Sequence, residues 1–221
     1  MSGEETKAVT EIAKAVGEIA KTSGKVVDAS AGFGNWFSKT IGTIPEGLLG
    51  IAGGDWLHEK RKRNLFSLQA KTAEIRMRIN AGPPQEPSVS VVLPLLKAAS
   101  DEARPELQEL WAGLLASSFQ PDGGQRVRRA FFDTLQNLEP PDALLFDVVV
   151  RHTQSVGSNR FDMIMVAYEK GITGNDLIVS IEALERLKLV HSPYGDQSRS
   201  VTPYGMTFWE ACNPQSICSA H

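Results

Sequence analysis

Cysteine, histidine and long apolar runs are all scarce in this chain, and each scarcity narrows what it can do. The 221 residues include two cysteines, Cys212 and Cys218, both near the C-terminus. Two thiols make no disulfide framework and fit a reducing compartment. The four histidines, His58, His152, His191 and His221, lie far apart. No stretch of 18 or more apolar residues occurs, so no ordinary transmembrane helix is expected. The opening MSGEETKAVT is polar and acidic, unlike a signal peptide. Catalytic signatures are missing too. GLLGIAGGDW lacks the lysine and hydroxyl of a phosphate-binding loop, and His58-Glu59 is followed by bases and no second histidine. There is no G-x-S-x-G. Cys212, Cys218 and His221 give a C-x5-C spacing at a polar tail, which is unlike a zinc site. The expectation is a chain that is not an enzyme, with no catalytic, cofactor-binding or metal residues. A triad assembled only in space would leave no such trace.

Charge is balanced overall but not locally. Twenty-six acids against 23 bases give a net charge of −3, so the whole protein is no electrostatic nucleic-acid binder. Residues 1–57 carry five Lys/Arg against seven Asp/Glu, residues 58–80 seven against two, and residues 81–221 eleven against seventeen. The basic segment is thus 58–80, which opens with HEKRKR.

Val9, Ile12, Val16, Ile19, Ser23, Val26, Ser30, Phe33 and Phe37 alternate by three and four. That is the seam of a packed helix over 6–30, with small residues that need a partner. Residues 31–54 hold seven glycines among Phe33, Trp36, Phe37, Leu48 and Leu49, and Pro45-Glu46 break the run. Asp55 suits the N-cap of a helix over 56–80. Its stripe is Leu57, Leu65, Leu68, Thr72, Ile75 and Ile79, with HEKRKR, Arg76 and Arg78 opposite. The helices over 6–30 and 56–80 are expected to pair. AGPPQEP, residues 81–87, cannot continue a helix and marks a boundary.

Short helices are expected over 88–139, with Pro94 and Pro105 in first turns and an apolar stripe of Leu107, Leu110, Trp111, Leu114 and Leu115. Trp111 reads as core, with Glu109 or a carbonyl for its N–H. Pro141 can open the next helix. TGNDLIVSIEALERLKLV reads as a capped helix; LVHSP and SRSVTP around YGDQ suit a hairpin; PYGMTFWEAC closes with a helix.

Residues 93–118, LPLLKAASDEARPELQELWAGLLASS, resemble the core signature of the Abi-alpha (abortive infection alpha) family. That signature is an apolar run ending in LLxAAS, an acidic break, then LQELWAxLLA. FFDTLQNLEPPDALLFD, IEALERLKLV…SVTPYGMTFWEAC and GLLG…GDWLHEKRKRN are similar to neighbouring parts of the family, so the likeness spans roughly 41–212. The resemblance implies a bacterial phage-defence role and supplies no catalytic residues.

The fold expected is mainly α: an N-terminal helical pair (1–80), a helical core (88–155), a small winged-helix-like α+β domain (156–212) and a tail (213–221). The leading function is an abortive-infection-like protein that acts by protein–protein contact or self-association, together with peripheral association at the inner face of the membrane. It is expected to be cytoplasmic. Its contact residues would be Phe33, Trp36, Phe37, Leu48, Leu49, Trp56, Lys60, Arg61, Lys62 and Arg63. Residues 41–57 are too short and polar to span a bilayer, but bases after an apolar stretch suit an anionic surface. Three readings of the basic run stay open: a solvated face, lipid, or nucleic acid extended by Arg76, Arg78, Arg126, Arg128 and Arg129. The alternative function is a winged-helix DNA-binding transcriptional regulator; an unrecognised hydrolase is third. Against DNA, the 174–188 helix offers Asp176, Glu182 and Glu185 against Arg186 and Lys188.

Overall fold

The computed structural model describes residues 32–37, 39–40, 55–156, 161–162, 171, 174–192 and 198–214. The seam over 6–30 and its pairing with 56–80 lie outside the described residues, as do Leu48, Leu49, the hairpin tip and the chain past 214. Within them the protein is mostly helical, with a small sheet near the C-terminus.

A short helix, α1, covers residues 32–37. Helix α2 runs Asp55–Arg78. Leu65, Leu68, Thr72 and Ile75 are buried on one side, as the stripe predicts. The helix ends at Asn80, whose φ of 49° turns the chain left-handed. The Asn80 and Ala81 amides bond the carbonyls of Met77 and Arg76, a Schellman closure with asparagine in the glycine place. Pro83 and Pro84 then forbid continuation.

Helix α3 is Val89–Ser100. Pro94 lies inside it and not in its first turn, because the helix starts earlier than predicted. A proline there cannot bond the carbonyl four residues back. That carbonyl, of Ser90, instead accepts from Arg129 Nη2 at 2.8 Å.

Helix α4, Pro105–Ser118, is the axis of the fold. Every residue from Trp111 to Ser118 is buried. Trp111 sits in the core, 6.2 Å from the Phe132 ring, while Glu109 reaches Lys71 at 3.2 Å. Around α4 stand α2, α3, α5 (Gly123–Arg126), α6 (Ala130–Gln136) and α7 (Pro140–Val156).

The chain then forms β1 (Phe161–Asp162), α8 (Asn175–Arg186), β2 (Val190–His191), β3 (Ser198–Val201) and α9 (Pro203–Cys212). The expected hairpin forms, with Val190 opposite Val201 and His191 opposite Ser200. Strand β1 adds antiparallel to β3, giving the order β1-β3-β2. Thr202 caps α9: its Oγ1 accepts from the Gly205 amide at 2.8 Å and donates to the Lys188 carbonyl at 2.6 Å. Helix α9 returns to α4, where Ser117 Oγ donates to the Ala211 carbonyl at 2.7 Å. One hydrophobic core therefore runs from Phe33 to Cys212.

Candidate functional site

Two neighbouring places on α2 gather many of the residues that the sequence pattern singles out. The first is its N-terminal half. Trp56 is 69 % exposed, and Lys60 Nζ lies 5.3 Å from its ring centroid, a cation–π distance. Lys62 and Arg63 are exposed, and so is Phe66. At 100° per residue, Trp56, Arg63, Phe66, Ala70 and Met77 share the face opposite the buried stripe. Arg61 does not belong to that face. Its guanidinium reaches back to Asp101, Nε to Oδ1 at 2.5 Å and Nη2 to Oδ2 at 3.2 Å. This bidentate pair ties α2 to the end of α3, beside the Asn64 amide bonding the Ser100 carbonyl at 2.8 Å.

The second place is the groove under α1. Phe33 and Phe37 are fully buried and Trp36 is half-buried. Phe33 and Trp36 meet Phe119 edge-on, at ring distances of 5.1 and 4.6 Å. In this arrangement Phe33 and Phe37 contact the core of their own chain and face no outside surface.

Beside them lies Arg76, a correction to the sequence reading. The charge pattern puts it opposite the apolar stripe with Arg78; it is instead 5 % exposed, because it follows Thr72 by four and lies on the buried side. Its Nη2 donates to the Gly82 carbonyl at 2.8 Å. Its carbon Cζ stands 5.9 and 5.6 Å from the Phe33 and Phe119 centroids. Nε and Nη1 are buried and have no hydrogen-bond partner. Burial without a counter-charge lowers its pKa. Two buried phenyl side chains contribute about 1.5–3 kcal/mol each, against about 1–3 kcal/mol for the orphaned donors. Docking of α1 is favourable, but it leaves one demand unmet.

Of the other arginines in the basic reading, Arg78 and Arg128 are exposed. Arg126 pairs with Asp122 and Arg129 with the Ser90 carbonyl. On α8, Ile178 and Val179 are 57 and 63 % exposed, beside Asn175, Asp176 and Glu182. Arg186 and Lys188 are exposed at the end of the helix, but the apolar and acidic groups before them are ill suited to phosphates. Among the described residues no group of three His, Cys, Asp or Glu could hold a metal. None of the described helices is long and apolar enough to cross a membrane.

The comparison of the chain with protein families finds abortive infection alpha, matched over residues 60–212. The chain belongs to the abortive infection alpha family. The matched span holds α4 and the closing helix α9, and membership points to an abortive-infection-type defence role. Comparisons with curated proteins and with solved structures gave no significant match. Sequence reasoning misses Phe66, Asp101 and Arg76. The four-residue step from Thr72 is the available signal for Arg76; nothing local marks Asp101 as the partner of Arg61.

Proposed function

We propose that this abortive infection alpha protein acts by contact and not by catalysis, docking in the cytoplasm against the inner membrane surface and a protein partner through the exposed face of α2. Support comes from one juxtaposition: an exposed indole with a lysine over its ring, followed within three turns by two exposed bases and an exposed phenyl ring. An apolar ring that enters the headgroup layer beside bases that attract anionic lipid is what interfacial binding needs. Each base near such a surface adds about 1 kcal/mol, so Lys60, Lys62 and Arg63 together would give measurable binding. Arg61 is left out because Asp101 holds it.

The test is flotation with anionic and neutral liposomes at low and high salt. The wild-type chain is compared with a Lys60→Gln/Lys62→Gln/Arg63→Gln variant and with Trp56→Ala. Binding to anionic vesicles that salt weakens and both variants lose is the expected result. Absence of binding in every condition removes the membrane from the reading and leaves the protein partner.

A further inference from the structure

We propose that the groove filled by α1 is a docking site for an external segment carrying a carboxylate beside an aromatic side chain, and that such a segment displaces α1. This rests on the reading of the chain as a contact protein and names the chemistry of its partner.

Three observations lead there. The groove has an apolar wall: Phe119 receives Phe33 and Trp36 edge-on, and Phe37 is buried alongside. It has a cation: Arg76 is buried, and Nε and Nη1 have no acceptor. The present occupant cannot supply one. Residues 32–40, GFGNWFSKT, contain no Asp or Glu; the nearest acids in the chain on either side are Asp28 and Glu46. Helix α1 therefore satisfies the apolar wall and leaves those two donors with ring faces alone.

A guanidinium edge presents parallel N–H groups that a carboxylate takes in pairs. In a dry groove that bond is stronger than in water, and an unmet donor is correspondingly costly. A competitor with an aromatic ring and a carboxylate would make the contacts of α1 and the one α1 lacks. Specificity follows from the same feature. A neutral peptide gains nothing over α1, and α1 has the advantage of being tethered. Displacement would also free Phe33, Trp36 and Phe37, aromatic residues that precede the basic face of α2 in the chain.

The probe is a set of labelled decapeptides in an Ala/Ser background. Each holds one Phe or Trp and one Glu, one to four positions apart in either order, and each has a Gln twin. Binding to the full chain is read by fluorescence anisotropy, and release of α1 by hydrogen exchange at residues 33–37. At least one Glu peptide should bind tenfold or more tighter than its twin and speed exchange in α1. Arg76→Met should erase that preference without lowering the melting temperature, since the donors it removes are mostly unpaired. Gly34 lies near Gln69, with 3.8 Å from an added Cβ to Nε2. A short thiol cross-link between Gly34→Cys and Gln69→Cys, in a Cys218→Ser background, should cut binding at least tenfold whether or not Arg76→Met folds. The proposal is overturned if no Glu peptide outbinds its twin, if the preference survives Arg76→Met or the cross-link, or if peptide binds with no change in α1 exchange. Flotation plays no part in this readout, so a failed membrane test and a failed groove test are separate results.

Discussion

Gly113, in the middle of α4, stands directly against the carbonyl oxygen of Cys212, the last residue of α9. A Cβ at Gly113 would lie 1.7 Å from that oxygen. The close approach lets α9 seat on α4 and brings Ser117 Oγ to the Ala211 carbonyl. Backbone cannot swing aside as a flexible side chain would, so Gly113→Ala should cost about 3 kcal/mol or more, at the upper end of overpacking effects. Chemical denaturation measures it; a loss below about 1 kcal/mol would mean the helices are not in this contact.

Lys188 closes α8 in the left-handed region, at φ 59°. The amides of Lys188 and Leu189 bond the carbonyls of Glu185 and Leu184. This is the position where glycine carries no Cβ penalty. Replacing a non-glycine residue there relieves about 1–2 kcal/mol of backbone strain, partly offset by the freer unfolded chain. Lys188→Gly should therefore raise stability by about 0.5–1 kcal/mol, visible as a higher melting temperature. A fall would show that the lysine side chain has a role of its own.

Glu102 is buried between α3 and α4, and burial alone would raise its pKa. Hydrogen bonds from the Arg104 side chain and amide outweigh this and hold the carboxyl below its ordinary value. The same contact raises the pKa of Arg104. Because the folded state favours the ionised acid, the stabilisation is complete above the unfolded pKa and is lost as pH falls through the folded one. Glu102→Gln should cost about 1–3 kcal/mol at pH 7. The gap from wild type should narrow below about pH 4. Denaturation of both proteins across pH 3 to 7 checks this, and a gap independent of pH would assign the cost to packing.

Much of this fold is legible in the sequence, because its signals are local. The Trp111 stripe, the end of α2 before Pro83-Pro84 and the Val190–Val201 hairpin all come from periodicity and turn residues within a few positions. The features that escape such a reading are decided at a distance. Strand β1 has two residues, too few for alternation to register, and exists because β3 offers it an edge. Pro94 is tolerated inside α3 because Arg129, far along the chain, takes up the Ser90 carbonyl. The candidate site divides in the same way. Exposed Trp56, Lys62 and Arg63 lie where the pattern places them, whereas Arg61 turns back to Asp101. Phe33 and Phe37 carry the periodicity of a packed seam, yet the ring they pack beside belongs to Phe119, which no nearby residue announces. Arg76 escapes a reading that weighs its charge above its helical phase.

The family match begins at residue 60, whereas the core among the described residues reaches back to Phe33. The matched stretch and the folding unit are therefore not the same length of polypeptide. A fragment trimmed to 60–212 would expose the Phe119 ring and the Arg76 guanidinium to solvent and lose two fully buried aromatic residues. Recombinant versions of this protein should start upstream of Gly32. Insolubility of a trimmed version would reflect where it was cut and not any toxicity of the protein.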